Sequence, residues 1–365
     1  MNPPRFRPLL LAVLALCLLA GVDHLLAQRP QGPLPRVHFV ATGGTISNRD
    51  GGRLSAEELA KSIPGVERFA RLTHEQFANV ASSELTLAQW VGLSKRITEI
   101  FASDKDLAGI VVTSGTDTLE ETAFFLHLTV KDPRPVVVVG SMRNPSTVGY
   151  EGAANLLEGV RVAAEPASRN KGALVVLNDE INSARNVTKT DALRVQTFRS
   201  REYGQLGVVD RDRVVYFSQI TQRRNDQIEF DIMKVNELPR VDVMMVYQGA
   251  SGDLIKSAVD HGAKGIVIAV AGAGATSGTQ NEGLNYAASK GVFIVTSTRT
   301  GSGRIAPPQR GGEAPGFQPN ADQQRRRQFT IAGEDHTPVK ARVLLMVALT
   351  STNDRNELQR IFSEY

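Results

Sequence analysis

Three short segments carry side chains that could act together on a carbonyl. Thr45 follows a glycine pair in Ala41-Thr42-Gly43-Gly44-Thr45-Ile46, Thr116 and Asp117 lie in Thr113-Ser114-Gly115-Thr116-Asp117-Thr118, and Lys189 lies in Asn186-Val187-Thr188-Lys189-Thr190. A threonine hydroxyl is a poor nucleophile at neutral pH and needs a base. Asp117 alone is too weak a base to ionise it. A lysine held by Asp117 could relay the proton, as in Ser–Lys arrangements. Ordinary readings stand beside these. Thr45 is either a nucleophile or a turn-capping hydroxyl, and on its own segment the cap is the commoner role. Lys189 is either a relay or a surface lysine, and its segment alone favours the surface.

These residues need a scaffold that brings distant segments to one edge. The run 37–41 is apolar and β-branched and stops at Gly43-Gly44, which reads as a buried strand ending in a turn. The same design recurs at 107–112, followed by the second hydroxyl turn and a helix through Leu119, Phe124, Phe125 and Leu128. Further strands are expected at 135–139 and 173–177, and helices at 55–63, 86–101 and 149–164. Ser55 with Glu58 has the capping-box spacing, and Thr86 caps the helix that carries Trp90, a core residue. Alternation of this kind predicts an α/β fold, with a larger N-terminal, mostly parallel sheet flanked by helices. If the strands at 37–41 and 107–112 are neighbours, Thr45 faces Thr116 and Asp117 at the carboxyl edge.

A polar stretch at 223–239, ending in Pro239, reads as a linker. Alternation then resumes, with strands at 241–247, 265–271 and 292–298 and helices at 254–261, 283–290, 340–351 and 354–365. This predicts a smaller C-terminal parallel-sheet domain. The domains are thus expected at 34–222 and 240–365. The segment 305–327 is rich in Pro, Gly and Gln, ends in Arg325-Arg326-Arg327, and reads as a surface loop with a solvated basic face.

The chain has 365 residues, 41% hydrophobic and 22% charged, with a formal charge of +4. Residues 1–27 read as a signal peptide: Arg5 and Arg7 precede an apolar stretch from Leu9 to Ala20, and Leu25-Leu26-Ala27 is a cleavage site. That stretch is too short for a comfortable membrane span. The expected location is periplasmic or secreted, with no membrane association once the leader is removed. Cys17 is the only cysteine, so the mature chain lacks thiol chemistry and disulfides. Loss of Arg5, Arg7 and Asp23 leaves +3, which implies no nucleic-acid partner.

With these segments in hand, the chain resembles the bacterial type II asparaginases of the asparaginase/glutaminase family. Ala41-Thr42-Gly43-Gly44-Thr45-Ile46 is similar to one family signature. Thr113 to Thr122 is similar to the other, with Ser114 where many members have His. Gly140-Ser141-Met142-Arg143, the Lys189 segment, Asn236-Glu237-Leu238-Pro239 and Lys340-Ala341-Arg342-Val343-Leu344-Leu345 match in family order. The resemblance implies that Thr45 attacks a side-chain amide and releases ammonia, after which water frees aspartate. It implies that Thr116, Asp117 and Lys189 assist proton transfer, that Asp117 grips the substrate amino group, and that Ser82 binds substrate, with Ser83 beside it. It implies L-asparagine as substrate, with L-glutamine as a second one, no cofactor or metal, and a homotetramer.

This chain departs from the family at several positions. Members carry a tyrosine on the loop after the nucleophile, whereas here the loop Asn48-Arg49-Asp50-Gly51-Gly52-Arg53 is short and no tyrosine precedes Tyr150. Ser83 stands where many members have Gln, and Ala275 where many have an Asn that serves the neighbouring subunit. Glu313, inside 305–327, is a guess for an acidic residue from that neighbour. These changes touch specificity, so a glutaminase-asparaginase or another amide-preferring member is the alternative. Three other classes fit less well. An exported amino-acid-binding protein needs no second hydroxyl and lysine. A dinucleotide enzyme is opposed by Gly278, one residue late for the spacing begun at Gly272-Ala273-Gly274. A metal hydrolase is opposed by six histidines, none at HExxH spacing.

Overall fold

The computed structural model describes residues 32–220, 223, 227–307 and 318–365. The leader 1–27 and Glu313 lie outside the described residues. The strands run in order β1 (Arg36–Gly43), β2 (Asn48–Arg49), β3 (Gly52–Arg53), β4 (Arg71–Val80), β5 (Leu107–Thr113), β6 (Val136–Val139), β7 (Ala173–Leu177) and β8 (Glu180–Ser183). They continue as β9 (Thr188–Lys189), β10 (Phe198–Arg199), β11 (Gly207–Val209), β12 (Val214–Tyr216), β13 (Val241–Met245), β14 (Gly265–Val270), β15 (Phe293–Thr298) and β16 (Thr330–Ala332).

Eight of these form one sheet in the order β12-β11-β8-β7-β6-β5-β1-β4. The strands from β4 to β7 pair in parallel, while β8, β11 and β12 close the other edge antiparallel. The apolar runs are continuous because both faces are covered. Val137 and Val139 pack with Phe39, Leu156 and Val160 on one side, and Val136 and Val138 with Leu93, Leu119 and Leu126 on the other. The smaller C-terminal sheet is β13-β14-β15-β16, all parallel. The helices Asp253–Asp260 and Gln280–Ser289 cover one face of it, and Pro338–Ala348 and Arg355–Glu364 the other.

The capping boxes at Ser55 and Thr86 are both present, and Trp90 is buried with its ring 5.4 Å from Phe125. Two features lie outside the expectations, and one expectation needs correction. First, β4 fills a stretch for which the sequence suggests no element. It is an edge strand of mixed polarity, Arg-Leu-Thr-His-Glu-Gln-Phe-Ala-Asn-Val, with no residue fully buried, so no apolar run announces it. Second, the antiparallel edge was not foreseen. The turn from β7 into β8 is Asn178-Asp179, both at positive φ, which is the chemistry of a two-residue hairpin. Third, the segment 305–327 is not a loop throughout. Asn320 caps a helix, Ala321–Phe329, in a box with Gln323, and Arg326 bonds Asn281 at 2.7 Å. Ile305 is buried and bridges to Glu334.

Candidate active site

Adjacent pairing of β1 and β5 puts the two hydroxyl turns side by side. The strand ends are tied together: Thr42 Oγ1 donates to the Thr113 carbonyl at 2.5 Å, and Thr113 Oγ1 accepts from Thr42 N at 3.0 Å. Gly43 and Gly44 then turn the chain at φ +102° and +90°, angles that residues with a Cβ rarely adopt. Any Cβ at Gly44 would also collide with the Gly115 backbone of the second turn. Gly44 N donates to Val80 O at 2.9 Å, which ties in the end of β4. Thr45, half-buried, opens a single 3₁₀ turn, Thr45–Ser47.

Edge strand β4 delivers Ser82. Its Oγ accepts a long hydrogen bond, 3.4 Å, from Thr118 N, and it lies against Gly115. Ser83 follows it and is exposed. In the second turn Thr116 is buried, while the Asp117 side chain is 75% exposed. Lys189 comes from β9, which pairs with β10 at Phe198. Its Nζ donates to Thr116 Oγ1 at 3.1 Å and to Asp117 Oδ1 at 2.9 Å, with the side chain only 16% exposed. The surface-lysine reading is therefore wrong for the geometry of Lys189. Thr45, Ser82, Thr116, Asp117 and Lys189 converge on one edge; Ala275 lies in an exposed loop after β14.

Two buried charges hold the lysine segment, and neither was singled out by sequence. Glu120 Oε1, from the first turn of the helix Leu119–Thr129, accepts from Thr188 Oγ1 at 2.9 Å and Lys189 N at 3.1 Å. Lys340, from the helix Pro338–Ala348 of the second domain, is fully buried. Its Nζ donates to the carbonyls of Ala184 and Arg185, both at 2.9 Å, and to that of Val187. Burial, opposed by the Glu120 charge, pulls the Lys340 ammonium down to about 7. The only earlier signal for both residues was their place in the quoted motifs. Beside them, Arg185 grips the Asp335 carboxylate with two bonds, 2.6 and 2.7 Å.

The site groups do not converge on a histidine. His127 and His336 are buried, and desolvation draws their pKa values down to about 4 and about 3, so both are neutral core residues. Among the described residues no group of three or more His, Cys, Asp or Glu could hold a metal ion, and no helix is long and apolar enough to cross a membrane.

A nucleophile-type turn, a second hydroxyl and a paired lysine at the carboxyl edge of a two-domain α/β fold define a class of amidohydrolase. The family description "Asparaginase, N-terminal" matches residues 36–222 and "Glutaminase/Asparaginase C-terminal domain" matches 240–362. The chain belongs to the asparaginase/glutaminase family. It is 42% identical over 343 residues to L-asparaginase 2 of Bacillus subtilis, covering 91% of this chain and 87% of that one. It is 36% identical over 343 residues to glutaminase-asparaginase of Pseudomonas fluorescens, covering 91% of each. The crystal structure of a probable cytoplasmic L-asparaginase from Campylobacter jejuni superposes with a TM-score of 0.82 at 36% identity, covering 91% of this chain and all of that one.

Proposed function

We propose that the protein hydrolyses L-asparagine to L-aspartate and ammonia through an ester on Thr45. Thr45 Oγ1 attacks the side-chain amide carbon. Its proton passes to the leaving nitrogen, the C–N bond breaks, and ammonia departs. Water then attacks the ester, frees aspartate and returns the proton to Thr45. Backbone N–H groups of the two turns stabilise the oxyanion. Lys189, paired with Asp117, sets the charge around Thr116 for proton transfer, and the exposed Asp117 carboxylate receives the substrate ammonium. Ser82 and Ser83 line the substrate side.

The observation that carries this reading is the Lys189 Nζ contact with both Thr116 Oγ1 and Asp117 Oδ1, beside the Gly44–Gly115 approach. A binding protein has no use for a lysine buried against a threonine hydroxyl. L-Glutamine is the second substrate in this proposal, since Ser83 and Ala275 are small where a longer side chain would narrow the choice. The leader residues support export, with residues 1–27 removed, and the family supports a homotetramer. Ammonia release from L-asparagine and L-glutamine tests the reading. Release from asparagine is expected; tight binding of asparagine without release would overturn it.

A further inference from the structure

Tyr150 crosses to the Thr45 turn from a segment 104 residues away, its hydroxyl donating to the Ile46 carbonyl at 3.0 Å. Within that turn the Gly44 carbonyl is taken by Ser47 N and the Thr45 carbonyl by Asn48 N. The Ile46 carbonyl takes its bond from the phenol. Ile46 itself is fully buried, and the Tyr150 ring packs against the cluster that contains it. We infer that Tyr150 is a positioning residue, which fixes the peptide after Thr45 and so the direction of the Thr45 hydroxyl. The inference rests on Thr45 being the nucleophile.

The segment that carries Tyr150 is built to hold still. Asn144 Oδ1 accepts from Ser146 N at 3.0 Å and from Thr147 Oγ1 at 2.8 Å. Arg143 donates to the Gly149 carbonyl at 3.0 Å, and the Glu151 carboxylate accepts from the backbone of Met142 and Arg143. The same segment makes a second tie to the nucleophile's side of the site, where Asp50 N, at the tip of the β2–β3 hairpin, donates to Ser146 Oγ at 3.0 Å. A strap with two ties, one at the turn and one at the hairpin over it, restrains both together. Burial and the nearby Glu151 charge push the phenol up to about 12, so it stays a donor throughout the working range.

Tyr150→Phe removes one oxygen and keeps the ring. One net hydrogen bond corresponds to roughly 3- to 10-fold, so kcat on L-asparagine should fall by about that factor while KM and Tm change little. Tyr216→Phe is the control. It deletes a comparable 2.7 Å bond to Ser168, far from the site, and should leave kcat unchanged. Ser146→Ala cuts the second tie and should lower kcat by a smaller factor. A Tyr150→Phe kcat within twofold of the parent overturns the inference, whether or not Tm falls. So does an equal loss in Tyr216→Phe. Full activity of Thr45→Ala would instead sink the nucleophile reading on which the inference rests.

Discussion

Lys189 meets Thr116 and Asp117 because three separate constraints converge on it. Pairing with Phe198 sets its strand, Glu120 fixes its backbone N–H, and Asp117 takes its ammonium. Its exposure is low and that of Asp117 is high, so the pair is a half-solvated bridge whose net stabilisation is small. What the bridge offers is chemistry: it places a cation against a threonine hydroxyl. Lys189→Met should therefore lower kcat by roughly two to four decades, the range for proton-transfer groups, with little loss of Tm. A steady-state assay beside a melting curve checks this, and an unchanged rate would return Lys189 to a structural role. Ser82 Oγ accepts a long bond, 3.4 Å, from Thr118 N; on the proposed reading, in which it binds substrate, Ser82→Ala should raise KM several-fold more than it lowers kcat.

At the scale of elements, the carriers of the site differ in how plainly the sequence announced them. The runs at β1, β5, β6 and β7 were legible because burial on both faces makes them continuously apolar. β4 was not, since an edge strand with one wet side carries Arg, His, Glu and Gln among its apolar residues, and Ser82 was placed only by resemblance. The helix Ala321–Phe329 hid because its composition is polar and none of its residues is fully buried. Glu120, Lys340 and Tyr150 act through contacts spanning many residues, which no local pattern encodes.

Lys340 shows what such contacts do: one helix of the second domain holds three carbonyls leading to Lys189. Lys340→Met leaves those carbonyls without their donor, so it should cost about 2–4 kcal/mol and lower kcat as the segment loosens. Paired with Lys189→Met, the kcat effects should be strongly non-additive; simple additivity would mean that Lys340 does not act through Lys189.

Glu158 makes an element-scale prediction about pH. Burial, reinforced by the Asp179 carboxylate beside it, raises its carboxyl to about 8. Between about 4.5 and 8 the folded state then binds a proton that the unfolded chain has released, so stability falls as pH rises through that window. Glu158→Gln should match the parent Tm at pH 5 and exceed it by a few degrees at pH 9. An equal difference at both values would contradict the assignment.

At the scale of the whole molecule, two α/β units of the expected relative size were read correctly from the alternation of strands and helices. Assembly is a different matter, because a surface that meets a second copy looks like any exposed surface in the sequence. Met245, Tyr247 and Leu254 stand 50–61% exposed on the C-terminal domain. The proposed tetramer would cover such surface, and sedimentation equilibrium should return four times the chain mass; a monomer at assay concentration would refute it.

The central claim is that Thr45 carries the chemistry, and Thr45→Ala tests it most directly. Turnover of L-asparagine by the folded variant should drop to near background while the melting temperature and asparagine binding persist. Parent-like ammonia release from that variant would contradict the account.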